Sequence, residues 1–211
     1  SLEENILDAI DQKDYLLHAP YQDFSYVIKF LREAALDPKV KSIKITIYRL
    51  SKASHIASAL INAAKNGKNV LVQIELQARF DEENNINFAE QLESAGVQLI
   101  FGIPGLKVHS KICVIEREHD KKYRRYGFIS TGNFNESTAK IYTDYTLFTS
   151  NQKILKEVNK VFNFLEVSYR IKNYKHLIVS PHYTGSILSK LIDNEIENQK
   201  NGLRSGISLK I

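Results

Sequence analysis

Four short stretches carry residue types suited to handling phosphate. In Gly105-Leu106-Lys107-Val108-His109-Ser110-Lys111, His109 and Lys111 stand two apart. On an extended segment such a pair shares one face. A neutral imidazole beside an ammonium suits attack on phosphorus: the cation neutralises phosphoryl oxygens while the ring nitrogen displaces the leaving group. In Ser130-Thr131-Gly132-Asn133-Phe134-Asn135, the Asn133 amide could hold phosphate oxygens. Arg49 follows Ile45-Thr46-Ile47-Tyr48, and Arg79 lies within Glu75-Leu76-Gln77-Ala78-Arg79-Phe80-Asp81-Glu82-Glu83. Two guanidinium forks would clamp a phosphate, matching its geometry while staying charged. Each feature alone has an ordinary alternative. A His-x-Lys pair is commonly a solvated strand end, an Asn-rich turn is commonly just a turn, and Asp81-Glu82-Glu83 suits the first turn of a helix.

These residues need elements to bring them together. Phe24, Val27, Ile28, Leu31 and Ala35 predict a helix over 21–36, stopped by Asp37-Pro38. Alternation at Val40, Ile43, Ile45 and Ile47 predicts a half-buried strand over 40–48. A helix over 54–65, capped by Gly67, leads to a buried strand over 69–76, a polar-faced helix over 82–94 and a short strand over 97–101. That β-α-β-α-β order implies parallel strands with right-handed crossovers. Strands over 111–116, 124–130 and 143–149 follow, too closely spaced for long helices. Then come an amphipathic helix over 151–168, a short strand over 176–179 and a last amphipathic helix over 184–200. One compact mixed α/β domain is the simplest account. Arg49, Arg79, His109 and Asn133 all fall next to strand ends, where open α/β sheets bind ligands.

Composition narrows the classes. The chain has 211 residues, a formal charge of +5, 43% hydrophobic and 25% charged residues, values typical of a globular protein. They exclude a disordered tail, a fibre and a disulfide scaffold. The single cysteine, Cys113, cannot bridge internally and suits a reducing, cytoplasmic compartment. No run reaches the roughly 18 apolar residues of a membrane span. No Cys/His pair has zinc spacing. The mild positive charge fits an anionic ligand without demanding nucleic acid. The chain starts at Ser1 and lacks methionine. It ends inside Ile207-Ser208-Leu209-Lys210-Ile211, which alternates like an opening strand. The expectation is a piece of a longer protein: a linker over 1–20, a domain over 21–205, and the start of another domain over 206–211.

His109, Lys111, a carboxylate five residues on (Glu116) and Gly132-Asn133 after an intervening strand resemble the phospholipase D superfamily pattern. The chain departs from it by carrying Glu116 where Asp is usual, and by holding only one copy. A more specific resemblance rests on several motifs in order. They are Ile47-Tyr48-Arg49-Leu50-Ser51-Lys52, the stretch from Glu75 to Asn84, the stretch from Gly105 to Lys111, Thr131-Gly132-Asn133-Phe134-Asn135-Glu136, and Ala139-Lys140-Ile141-Tyr142-Thr143-Asp144-Tyr145. Together they resemble the bacterial polyphosphate kinase family, specifically the first of its two C-terminal phospholipase D-like catalytic domains.

The resemblance implies a mixed β-sheet with helices on both faces. It implies an enzyme that moves the terminal phosphate of ATP reversibly to polyphosphate through a phosphohistidine, here His109. Lys111 and Asn133 would hold the transferred phosphoryl oxygens. A carboxylate on the second imidazole nitrogen would fix its tautomer. Asp144 is the first candidate and Glu116 the second. Tyr142 matches the tyrosine placed against the nucleotide. Arg49 and Arg79 match the pair assigned to the Mg²⁺ site. An arginine has no lone pair for a cation, so both are expected to reach Mg²⁺ only through the phosphates it bridges. The implied partners are ATP or ADP, polyphosphate, the remaining domains and further copies of the chain, with no nucleic acid. Peripheral membrane association is also compatible with the family. A second histidine and another basic residue would come from a further domain, so this piece alone is expected to be inactive. Two other readings are a phospholipase D-like nuclease or phosphodiesterase homodimer, and a non-catalytic phosphate- or nucleotide-binding module.

Overall fold

The structure, a computed structural model, describes residues 5–51, 53–75, 82–103, 105–167 and 173–209. Arg79 and the acidic Asp81 therefore lie outside the described residues, as do Lys210 and Ile211. The chain divides into two compact units, Ser1–Lys172 and Asn173–Ile211.

The first unit is built on a seven-stranded mixed sheet, in the order β1-β7-β6-β5-β2-β3-β4. Its strands are β1 (Tyr15–Ala19), β2 (Val40–Ile47), β3 (Asn69–Ile74), β4 (Gln98–Phe101), β5 (Lys111–His119), β6 (Lys122–Ser130) and β7 (Asp144–Thr149). β2, β3 and β4 pair in parallel, as the alternating order predicts. The crossovers between them are α3 (His55–Lys65) and α4 (Glu82–Ser94). All remaining pairings are antiparallel.

Alternation along the strands assigns the two faces. Ile43, Ile45, Ile47, Val70, Val72, Cys113, Ile115, Tyr126, Phe128 and Phe148 join one core with α1 (Ile6–Gln12), α2 (Ser25–Leu36), α3 and α4. Phe128 is central to it, with Phe30, Phe148 and Phe134 at centroid distances of 5.1, 5.3 and 5.0 Å. The opposite face is covered by α5 (Gln152–Glu166), which buries Leu155, Val158 and Phe162. Asn151 caps that helix by accepting from the Lys153 and Ile154 amides. A Cβ at Gly127 would collide with the Cys113 carbonyl and the Leu155 side chain, so a glycine there admits α5.

Residues 6–19 are not a linker. Ile6, Leu7, Ile10 and Leu17 are buried, and β1 closes the sheet edge against β7. Their apolar pattern spans one short helix and one partly exposed strand, too brief to establish a period. The second unit contains α6 (Thr184–Lys200), which buries none of its residues. The expected strand over 176–179 is absent, and residues 207–209 have no regular structure. Neither stretch pairs with a strand among the described residues. No helix among the described residues is long and apolar enough to cross a membrane.

Candidate functional site

The strand directions collect one set of ends on one edge of the sheet. The carboxyl ends of β1, β2, β3, β4 and β6 and the amino ends of β5 and β7 all open there. Arg49 leaves β2, His109 precedes β5, Asn133 follows β6 and Asp144 begins β7. A surface cleft lined by Pro38, Lys41, Glu118 and His119 lies at the opposite edge, away from these residues.

The segment carrying His109 is tied to β2 by Thr46. Its buried hydroxyl donates to the Ser110 carbonyl at 2.7 Å and accepts from the Ile112 amide at 3.0 Å. This extends the β2–β5 ladder past its last backbone pair, Ile45 with Cys113. The Lys111 ammonium then turns back to the His109 carbonyl at 2.5 Å. Lys111 is only 6% exposed. The Tyr48 ring stands nearly perpendicular to the His109 imidazole, at a centroid distance of 5.3 Å. Around that same phenol lie the Arg49 guanidinium at 5.5 Å, the Lys107 ammonium at 5.5 Å and the Lys111 ammonium at 5.6 Å. Three of the positions singled out from sequence, Arg49, His109 and Lys111, therefore meet at one ring.

This setting selects protonation states. Partial desolvation first, then the charges of Lys111 and Lys107, pull the His109 pKa below the usual 6.5. The ring is therefore neutral at physiological pH and holds a nitrogen lone pair. Burial lowers Lys111 to about 8, while the Asp144 carboxylate opposes the fall. Asp144 accepts from the Thr131 hydroxyl at 2.8 Å and lies against Gly132, where a Cβ would collide with its carboxylate. Its electrostatic partner is Lys111. Glu116 is engaged elsewhere, bound to Arg125 at 2.6 Å on the β5–β6 pair. Among the described residues, neither carboxylate hydrogen-bonds the His109 ring.

The loop after β6 is anchored by Phe134, which is 2% exposed and edge-on to Phe128. Asn133 sits just before this anchor, its Oδ1 buried without a hydrogen-bond partner among the described residues. Asn135 caps the following 3-10 turn, Thr138–Lys140, by accepting from the Ser137 and Thr138 amides. Tyr142 comes next and is 62% exposed, leaving its ring open for stacking.

Besides Thr46 and Tyr48, two more site-building residues escaped the sequence reading. The Glu136 carboxylate accepts from the Ser51 hydroxyl at 2.5 Å and from the His55 amide at 2.8 Å, joining the loop after β6 to the start of α3. The fully buried Asn85 amide on α4 donates to the Tyr48 and Glu75 carbonyls, both at 2.9 Å, clasping the ends of β2 and β3. An Asn on a helix and a Glu after an Asn-rich turn carry no local sign of such distant partners.

Among the described residues the donors do not suit a protein-held Mg²⁺. No group of three or more His, Cys, Asp or Glu that could hold a metal exists among the described residues. Arg49 has no lone pair to offer.

A profile of the family described as polyphosphate kinase C-terminal domain 1 matches residues 5–171. The polyphosphate kinase of Escherichia coli K12 is 50% identical over 207 residues, covering 98% of this chain and 30% of that protein. The Vibrio parahaemolyticus polyphosphate kinase is 49% identical over the same length. The chain thus spans about 30% of the length of these curated relatives. Among solved structures, the Porphyromonas gingivalis polyphosphate kinase superposes with a TM-score of 0.85 at 41% identity, over 95% of this chain and 34% of that one. Nuc, a phospholipase D family member from Salmonella typhimurium, superposes with a TM-score of 0.57 at 16% identity, over 77% of this chain and 98% of that one. That last likeness concerns the fold alone.

Proposed function

Because the chain belongs to the polyphosphate kinase family, matching its C-terminal domain 1, we propose that it serves an ATP:polyphosphate phosphotransferase in which His109 carries the phosphoryl group. The observation that supports this most directly is a neutral imidazole among three cations at one ring. A His109 ring nitrogen attacks the terminal phosphorus of ATP, the bond to the bridging oxygen breaks, and ADP leaves. The terminal oxygen of polyphosphate then attacks the phosphohistidine and frees the imidazole. The N–P bond retains high transfer potential, so both steps run in either direction.

Lys111, Arg49 and Arg79 neutralise phosphate oxygens, and the Asn133 amide adds a neutral partner. Tyr142 stacks on the adenine. Asp144 favours the charged form of Lys111. Arg49 and Lys111 would hold nucleotide phosphates whose negative charge a Mg²⁺ ion would help to neutralise. The described residues offer such an ion no donor set of their own. A single copy of the His-x-Lys pattern with a carboxylate five residues on, that carboxylate being Glu116 held by Arg125, gives little support to a phosphodiesterase. The buried lone thiol of Cys113 suits a cytoplasmic protein.

The test uses a polypeptide of the relatives' full length that carries this chain. Incubation with γ-labelled ATP should yield an acid-labile, base-stable label, and His109→Ala should abolish both the label and polyphosphate synthesis. Wild-type labelling in that variant would reject the assignment.

A further inference from the structure

We propose that Tyr48 is a positioning residue of this site: its ring sets the His109 imidazole edge-on and gathers Arg49, Lys107 and Lys111 around the place where phosphoryl oxygens bind. The proposal deepens the phosphohistidine reading and rests on it.

The geometry needs such a group. Three cations and an imidazole share one small region, and like charges this close repel one another. A carboxylate at the centre would gather them too. It would also neutralise the charges intended for phosphate and raise the proton affinity of His109. An aromatic face attracts cations through its quadrupole while carrying no net charge. The cations therefore keep their full charge for the substrate, and the imidazole keeps its lone pair. The perpendicular ring contact adds orientation, because a T-shaped pair restrains rotation of both rings. Tyr48 is itself held in place. Its carbonyl accepts from the buried Asn85 amide at 2.9 Å, and Thr46, two residues earlier, grips the segment that carries His109.

Two readouts test the proposal, and the first needs no turnover. Proton NMR titration of His109 in the 211-residue chain should give the same midpoint in wild type and Tyr48→Phe. The midpoint should rise toward the ordinary histidine value in Tyr48→Leu, as the ring loses its cover and the cations disperse. Tyr48→Gln suits the half-exposed position and is expected to behave like the Leu variant. The second readout is the rate of His109 labelling by γ-labelled ATP in the full-length polypeptide. Loss of positioning should slow labelling at saturating ATP by about a hundred-fold with a smaller change in KM, and Tyr48→Phe should keep most of the rate. A folded Leu or Gln variant with wild-type titration and wild-type labelling overturns the proposal. If wild type takes no label on His109, the phosphohistidine reading fails, and the titrations still decide whether Tyr48 governs the imidazole.

Discussion

Lys111 shows what the site asks of a single residue. The fold buries its ammonium and lowers its pKa from 10.5 to about 8, with Asp144 offsetting part of the effect. Between these two values the unfolded chain holds a proton that the folded chain has released, so stability rises with pH across that window. Below about 8 both states are protonated, and the fold bears the full desolvation cost of the charge. The gap corresponds to at most ~3 kcal/mol. Lys111→Met keeps an unbranched chain and removes the charge, so it should stabilise the protein at pH 7. The expected rise in Tm is about 2–4 °C per kcal/mol gained. The advantage should shrink as pH climbs above 8, while phosphoryl transfer is lost. Thermal melts of both proteins at pH 7 and pH 9.5 would check this. A variant no more stable than wild type at pH 7 would show that the buried ammonium carries no such cost. A buried cation that costs the fold stability is expected where, as in the role proposed for Lys111, charge is kept for a substrate rather than for the fold.

At the scale of elements, the site depends on side chains that join loops belonging to different strands. Glu136 is the clearest case, since its carboxylate caps α3 through the His55 amide and holds Ser51. Charged acceptors at a helix start contribute about 0.5–2 kcal/mol. Glu136→Ala should therefore lower stability by about 1–2 kcal/mol, read as a reduced urea midpoint at unchanged slope. Glu136→Gln should recover part of the loss. A midpoint shift within error in the Ala variant would mean the two loops hold each other without this link. Such links also mark the limit of what sequence can reveal. Helical and alternating periods made α2 to α6 and β2 to β7 readable, because each carries an apolar pattern of its own, even α6, which buries none of its residues. Residue type and spacing pointed to Arg49, His109, Lys111 and Asn133, of which the first three meet at the Tyr48 ring, whereas Asp144 came from the resemblance alone and has Lys111, not the His109 ring, as its electrostatic partner. Thr46, Tyr48, Asn85 and Glu136 were not readable, because each acts on a partner brought near only by tertiary folding. Ser51 and Glu136 are 85 residues apart. The apolar residues over 176–179 misled for the converse reason: a strand needs a neighbour, and no local pattern supplies one.

The whole molecule bears on where the domain begins. α1 and β1 contribute Ile6, Leu7, Ile10 and Leu17 to the buried set, at 0, 1, 0 and 7% exposure. At roughly 1.5–3 kcal/mol each, their burial is worth on the order of 6–12 kcal/mol. That is comparable to the entire stability of a typical domain, about 5–15 kcal/mol. Polar contacts add to it. Asp11 accepts from the Tyr126 hydroxyl at 3.0 Å and pairs with Arg124 at 3.0 Å. The Glu33 carboxylate of α2 accepts from the Ile6 and Leu7 amides at 2.7 and 3.3 Å, capping α1, while burial pushes its pKa upward. Removing α1 would leave that carboxylate half-buried without its two amide donors. β1 also flanks the proposed site, since Ala19 faces Asp144 across the β1–β7 pair, so its loss would expose the strand that carries the electrostatic partner of Lys111. A chain beginning at Tyr21 should therefore fail to fold cooperatively, whereas one beginning at Asn5, where the family match starts, should fold like the full 211 residues. Amide NMR dispersion and urea unfolding distinguish the two outcomes. A sharp transition at the wild-type midpoint in the shorter chain would show that α1 and β1 are accessory to the sheet.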